Sequence, residues 1–198
     1  PKRISLILDN SREKQYYNNL YLIELGSLLI DSSFSPSKDF TEGVLRHALL
    51  ELSEFRNSYL IMRAYKNLGY YYLLEKNYIE AESNLKKAFS IANKSRNVNF
   101  LANLVLLLGR LYIEKEEYSL ALDNLVMSYK LFQINNYYYQ QALVLIAMGE
   151  LYDKIQNYMT ALRYYKRAQE MIITSDVIEE DVKNSYFEKF EKKIINLL

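Results

Sequence analysis

The sequence predicts an all-α fold, a solenoid built from helix-turn-helix repeats. Three glycines, Gly69, Gly109 and Gly149, recur at intervals of 40 residues. The residues that follow them also recur: a tyrosine at three positions later (Tyr72, Tyr112, Tyr152), another at nine (Tyr78, Tyr118, Tyr158) and an alanine at twelve (Ala81, Ala121, Ala161). Self-similarity at a fixed period indicates stacked copies of one supersecondary unit. The presence of only five glycines and two prolines favours long helices joined by short turns.

A divergent first repeat is predicted over residues 10–56. Gly26 follows a leucine, as at the end of the first helix in later repeats, and the segment from Phe40 resembles the segment from Tyr78. This alignment places Gly43 at the Ala81 position and leaves five extra residues in the turn before Phe40. It also places His47, the only histidine, at an interior packing position, so we expect a core or edge histidine that is neither a ligand nor a base.

The next three repeats are predicted over residues 57–95, 98–135 and 138–174, each as a helix A followed by a helix B. In the second repeat, helix A should cover about 58–75 and helix B about 78–93, because apolar residues there recur every three or four positions. A glycine inside a helix costs roughly 1 kcal/mol relative to alanine. We therefore expect the recurring glycines to lie where helix B approaches helix A closely. Asn77 and Asn157 are expected to cap the following helices.

A terminal helix is predicted over residues 177–197. Apolar residues recur there every four positions, at Ile178, Val182, Tyr186, Phe190 and Ile194. The end of a solenoid needs a helix with one polar face to cover its core, so we interpret this segment as a cap. A helix that binds a partner or a second copy of the chain is the alternative.

The composition narrows the functional class. With 25 basic and 24 acidic residues the net charge is +1, so no overall field attracts nucleic acid or an anionic membrane. The chain has no cysteine, which excludes disulfides and thiolate metal sites and suits the cytoplasm, where we expect the protein. No segment approaches the roughly 20 apolar residues of a membrane span. The first residue is Pro1 and no secretory signal follows it, so we expect a fragment of a longer protein.

The chemistry of an enzyme is not visible in the sequence. One histidine without cysteines cannot form a closed zinc site, and no nucleophile stands beside a base. No glycine-rich loop suited to phosphate is present. The tyrosine triplets at 70–72 and 137–139 lack flanking basic residues, so nucleic-acid binding is not expected. We therefore expect neither catalysis, nor a cofactor, nor a metal.

The repeat positions resemble those of the tetratricopeptide repeat (TPR) family. The matching residues are Tyr65, Leu68, Gly69, Tyr72, Ala81, Leu85 and Ala88, then Val105, Leu108, Gly109, Tyr112, Ala121, Leu125 and Ser128, then Leu145, Met148, Gly149, Tyr152, Ala161, Tyr165 and Ala168. The resemblance implies a right-handed TPR-type α-solenoid with a C-terminal capping helix over residues 1–198. The period of 40 rather than 34 residues is similar to that of bacterial peptide-pheromone receptors and TPR sensor domains.

In TPR proteins, helix A lines a concave groove that binds a protein or peptide. The resemblance implies that Arg63, Lys66, Tyr70, Asn103, Leu106, Arg110, Leu143, Ile146 and Glu150 face this groove, continued by Leu20, Ile23 and Ser27 in the first repeat. Asn103 would bind peptide backbone, the arginines a carboxylate, and the apolar residues side chains. The alternative is a surface that is merely mixed in polarity. The carboxylate clamp of chaperone-binding TPR proteins is matched here only at Lys66.

The resulting expectation is a non-enzymatic module that binds proteins or peptides, as the sensor or regulatory domain of a bacterial regulator. The alternative is a structural scaffold or adaptor that assembles a multiprotein complex through its convex face or its C-terminal helix. Whether the chain forms a homodimer stays open.

Overall fold

A computed structural model describes residues 2–31, 38–55, 58–175 and 183–184. Within these ranges every regular element is an α-helix and no strand is present, so the predicted all-α, helical-repeat fold class is confirmed. The helices are α1 (Lys2–Asp31), α2 (Lys38–Phe55), α3 (Ser58–Leu74), α4 (Tyr78–Ser95), α5 (Val98–Glu114), α6 (Tyr118–Ile134), α7 (Tyr138–Lys154) and α8 (Tyr158–Ile173). The odd-numbered helices correspond to helix A and the even-numbered helices to helix B.

The chain divides into two compact units, with α1–α4 in the first and α5–α8 in the second. In the first unit, α2 packs against α1 and α3, and α3 forms a hairpin with α4. In the second unit, α5 forms a hairpin with α6, α7 forms one with α8, and α6 also packs against α7. Within each unit the two A helices touch, α1 against α3 and α5 against α7. Each unit therefore presents a continuous surface made by two A helices.

The recurring glycines lie at the closest approach of helix A to helix B. A Cβ atom would lie 2.6 Å from Leu85 Cγ if built on Gly69, 2.7 Å from Leu125 Cδ2 on Gly109, and 2.5 Å from Tyr165 Cε1 on Gly149. These separations are shorter than real Cβ contacts allow, so each position requires a glycine or a shift of the facing side chain. The expected close approach is confirmed in all three hairpins.

In the first repeat, too, a glycine of helix A lies against a large side chain of helix B, but the register of helix B differs from the predicted one. A Cβ on Gly26 would collide with Leu45, which makes Leu45 the equivalent of Leu85. The predicted alignment of α2 was therefore wrong by two residues, which is a rotation of about 200° around the helix axis. His47 is exposed rather than buried, and Gly43 is exposed with no atom near a Cβ.

The buried face of α2 consists of Thr41, Leu45, Ala48 and Leu52, at the spacing of one helix face. Nineteen residues separate Gly26 from Leu45, against sixteen from Gly69 to Leu85, so this repeat carries three extra residues rather than five.

The three turns between helices A and B that the structure describes, at 75–77, 115–117 and 155–157, are built alike. In each turn one residue has a left-handed backbone: Lys76 (φ 59°), Glu116 (φ 61°) and Gln156 (φ 61°). The next residue donates its N–H to the carbonyl of the tyrosine five positions earlier: Asn77 to Tyr72 (2.9 Å), Glu117 to Tyr112 (2.9 Å) and Asn157 to Tyr152 (2.8 Å). This is the Schellman arrangement, which satisfies carbonyls left without partners at a helix end. It explains why a turn of three residues suffices.

Asparagine side chains cap the N-termini of three of the described helices. Asn77 Oδ1 accepts from the N–H of Glu80 at 3.3 Å, and Asn157 Oδ1 accepts from the N–H of Thr160 at 3.3 Å. Both predicted caps are confirmed. Asn97 caps α5 in the same way, through the N–H of Phe100 at 3.1 Å.

The predicted terminal helix, with its stripe from Ile178 to Ile194, lies outside the described residues apart from 183–184, which are helical. Among the helices that the structure describes, none is long and apolar enough to cross a membrane.

Candidate functional site

The residues predicted to face a groove fall on two surfaces, one in each unit. Leu20, Ile23, Ser27, Arg63, Lys66 and Tyr70 form what we call the α1–α3 surface. Asn103, Leu106, Arg110, Leu143, Ile146 and Glu150 form what we call the α5–α7 surface. Because the A helices touch within each unit, the six residues of each set lie on neighbouring helices.

On the α1–α3 surface, the arginine already has a partner within the protein. Arg63 Nη2 donates to the Glu24 carboxylate on α1, and the Arg63 guanidinium lies 5.8 Å from the centre of the Tyr59 ring. This pair joins α1 to α3 and neutralises the charge that was predicted to take a ligand carboxylate. A ligand would have to displace Glu24 to use Arg63.

The rest of the α1–α3 surface is only partly exposed. Ile23 is fully buried and packs with Leu60 and Ala64, while its carbonyl accepts from Asn67 Nδ2 at 3.2 Å. Lys66 and Tyr70 are half-buried. This surface therefore stabilises the contact between the two helices more than it offers groups to a ligand.

The α5–α7 surface presents an exposed amide. Asn103 is exposed, and its Nδ2 donates to the carbonyl of Asn99 at 2.9 Å, one turn earlier on α5. This bond fixes the orientation of the side chain. Among the described residues, nothing hydrogen-bonds to Asn103 Oδ1, so this oxygen and the second N–H remain directed to solvent.

Arg110 is the cation of the α5–α7 surface. It is half-buried, and its Nε is fully buried without a hydrogen-bond partner in the part of the chain that the structure describes. A buried donor without a partner costs about 1–3 kcal/mol. Arg110 follows Asn103 by seven residues, which is two helical turns on the same face, or about 10 Å. A ligand that reaches both groups can satisfy the guanidinium and the amide together.

The apolar positions of this surface form its floor. Leu106, between Asn103 and Arg110, and Ile146 on α7 are both buried, at 6% and 5% exposure, whereas Leu143 and Glu150 are half-buried. The buried pair leaves little side-chain surface for apolar pockets. The polar groups of α5 are therefore the main contribution of this surface to recognition.

Sequence reasoning missed two features near these surfaces. Asn19 on α1 is fully buried, and neither of its amide atoms has a hydrogen-bond partner among the described residues. It occupies the position seven before the glycine, where later repeats carry Met62, Ala102 and Ala142, so the repeat alignment itself marks it. Asn99 Nδ2 donates to the Tyr137 hydroxyl at 2.7 Å and ties the start of α5 to the start of α7. No sequence signal identifies that pair, which is 38 residues apart.

A hydrogen-bonded triad joins α2 to α3. The Tyr72 hydroxyl donates to Glu42 Oε1 and accepts from Arg46 Nη2, both at 2.6 Å, and Arg46 Nε donates to the same carboxylate oxygen at 2.6 Å. Burial raises the pKa of Tyr72 to about 12, and its hydrogen bond to Glu42 adds to the shift. The hydrogen bonds from Tyr72 and Arg46 lower the pKa of Glu42. Because the three groups satisfy one another, we interpret the triad as a brace between the helices.

Within the described ranges, no cluster of three or more histidine, cysteine or acidic side chains is arranged to hold a metal ion.

Comparison with known proteins supports the repeat assignment. A family model described as Tetratricopeptide repeat matches residues 60–134, the stretch that runs from α3 through α6. Proteins built from this repeat generally bind other proteins and generally act as non-catalytic scaffolds. No curated protein matches the sequence.

Among solved structures, the chain is similar to BtubC (BKLC) from P. vanneervenii. The TM-score is 0.73 at 17% sequence identity, over 98% of this chain and 85% of that chain. At this identity the likeness shows the helical-repeat fold alone. The narrower resemblance to bacterial peptide-pheromone receptors receives no support from these comparisons.

Proposed function

We propose that this chain is a non-enzymatic module that binds an extended peptide or protein segment on the α5–α7 surface. The observation that carries the proposal is Arg110, whose buried Nε has no partner among the described residues. Because this Nε is closed to solvent, a ligand carboxylate would pair with the guanidinium of the half-buried Arg110 side chain by a charge-assisted hydrogen bond, and the side chain would have to shift for Nε to take part. The general role of TPR proteins in protein binding supports the same class of function.

The spacing of the two polar groups on α5 suits a peptide. Asn103 and Arg110 are about 10 Å apart along the helix, and an extended chain advances about 3.3 Å per residue. A peptide whose carboxylate pairs with Arg110 would therefore present the backbone amide of its third residue upstream to Asn103. Asparagine suits this role because its side chain both donates and accepts, as a peptide group does.

The finer proposal is that the module is the sensor domain of a cytoplasmic bacterial regulator. It is supported by the 40-residue period, which is similar to that of peptide-sensing TPR proteins. The α1–α3 surface, including Arg63, Lys66 and Tyr70, would extend the contact area without supplying the main charge, since Arg63 is paired with Glu24.

The test is a binding measurement with an array of random six-residue peptides that carry free C-termini. Peptides that bind are resynthesised, and their dissociation constants are measured by fluorescence anisotropy for the wild type, Asn103→Ala and Arg110→Met. We expect each substitution to weaken binding by on the order of ten- to hundredfold, because it removes a hydrogen bond worth about 1–3 kcal/mol. Amidation of the peptide C-terminus should weaken binding to the wild type but change little for Arg110→Met.

Matched controls come from the helices B. Asn124 on α6 makes the same bond as Asn103, from Nδ2 to the carbonyl four residues earlier, at 2.7 Å. Asn124→Ala, and Arg163→Met on the exposed face of α8, should leave peptide affinity unchanged. Equal affinity of the wild type, Asn103→Ala and Arg110→Met would contradict the proposal. Loss of binding in the two control variants would favour a scaffold that works through its helices B.

A further inference from the structure

Helix α6 carries an exposed apolar stripe. Leu120, Met127 and Ile134 are 46%, 40% and 76% exposed. They are spaced by seven residues, so they lie almost in line along one side of the helix, over about 21 Å. Exposed apolar residues that share one side of a helix are candidates for a protein interaction site.

The equivalent positions of the other repeats show that the solenoid does not need this stripe. Forty residues earlier, α4 has Glu80, Lys87 and Lys94. Forty residues later, α8 has Thr160 and Arg167, and Thr174 lies at its C-cap. All six are polar, and five of them are exposed. Because the same structural positions tolerate charge elsewhere, packing within the repeat does not explain three apolar residues on α6.

Two opposite charges accompany the stripe. Asp123 and Lys130 are exposed on α6, on the same side of the stripe, four residues before and three residues after Met127. A second α6 running antiparallel, with the two-fold axis at Met127, places Leu120 opposite Ile134 of the second copy. The same operation brings Asp123 to within about one residue, or 1.5 Å along the axis, of Lys130 in the second copy.

We propose that two copies of this chain associate antiparallel through α6, with Met127 against Met127 on the two-fold axis. The interface is isologous, so each Asp123–Lys130 pair forms twice. A parallel pair would place the charged flanks on opposite sides of the interface, where no such pairs form. One helix pair lies at the low end of interface size, so the dimer is weak and concentration-dependent. This interface does not use the α5–α7 surface and is independent of the proposed peptide site.

The first test is sedimentation velocity over a concentration series from about 5 μM to 1 mM, a range chosen for a weak interface. We expect the wild type to shift from monomer to dimer, and Met127→Glu to weaken association at least tenfold because it places two carboxylates face to face. Ser90→Glu on α4 makes the same change in net charge at an exposed position and should associate like the wild type. A wild type that stays monomeric throughout the series overturns the proposal.

Charge exchange tests the antiparallel register. Asp123→Lys and Lys130→Asp should each weaken association by about tenfold, since each puts like charges together in both pairs. The double variant restores two opposite-charge pairs and should return to within about twofold of the wild type. A double variant no tighter than the single variants shows that the two residues do not face each other and overturns the arrangement.

Single-cysteine variants test the two-fold axis directly, because the natural chain has no cysteine. Met127→Cys should give a covalent dimer on mild oxidation or with a short bis-maleimide. Lys87→Cys, at the equivalent position on α4, should stay monomeric. Leu120→Cys should link poorly to itself but efficiently to Ile134→Cys in a mixture. Equal linkage of Met127→Cys and Lys87→Cys would indicate random collision and would contradict the proposal.

Discussion

Replacing Gly149 by alanine should destabilise the protein, although alanine is the better helix former. A Cβ at this position would lie 2.5, 2.7 and 2.8 Å from three atoms of the Tyr165 ring, which is fully buried and cannot bend away. Overpacking of this kind costs about 1–3 kcal/mol, and the gain in helix propensity returns roughly 1 kcal/mol. We expect a net loss of up to about 2 kcal/mol, or a fall of about 2–8 °C in Tm for a domain of this size.

The measurement is urea unfolding followed by circular dichroism at 222 nm, with Gly43→Ala as the matched control. Gly43 is also helical, but no atom lies within 4 Å of its Cβ position, so alanine there should raise the free energy of unfolding by about 1 kcal/mol. The two identical substitutions should thus differ in sign. A Gly149→Ala protein as stable as Gly43→Ala would show that the A–B contact is not tight.

Two further predictions concern a turn and the triad. Glu116→Gly should stabilise the protein by about 0.5–1 kcal/mol in urea unfolding, because the left-handed backbone costs a non-glycine residue about 1–2 kcal/mol and the greater entropy of glycine in the unfolded chain removes part of this gain. Ser90→Gly, within α4, should destabilise the protein in the same urea unfolding measurement. Tyr72 has a folded pKa of about 12, above its unfolded value near 10, so its contribution to stability is full below pH 10 and is lost between about pH 10 and 12. Glu42 has a lowered pKa, so its contribution is present above its unfolded value and is lost as the pH falls through the folded one. Urea titrations at several pH values should show both losses, and a Tyr72→Phe protein with an unchanged alkaline slope would contradict the first.

The glycine contacts could be predicted because glycine recurs at the same helix position in three repeats, although it lowers helix stability each time. A glycine in mid-helix needs a reason, and the alanine twelve residues later pointed to close helix packing. The first repeat lacked this redundancy. Gly43 suggested a register in which it replaced Ala81, but the core is set by Leu45 meeting Gly26. A single glycine carries less information about register than the periodicity of the apolar residues around it.

The sequence predicted which residues lie on the candidate surfaces, but not which of their arginines form ion pairs within the protein. Repeat numbering identified the helix faces that carry Arg63 and Arg110, and it could not tell which arginine was already neutralised. That depends on Glu24, which lies 39 residues before Arg63 and on another helix. Such ion pairs form between long side chains on two packed helices, and a single sequence does not show which side chains meet.

Main-chain hydrogen bonds determine the geometry of the hairpin turns. The side chains of the turn residues are therefore free to change during evolution. Lysine, glutamate and glutamine stand at the same left-handed position and give the same φ to within 2°. The turn therefore keeps the same backbone angle whether the residue at this position is basic, acidic or neutral. After duplication, repeats can diverge in the sequence of these turns and so acquire different surface charges, while each repeat keeps the same turn geometry.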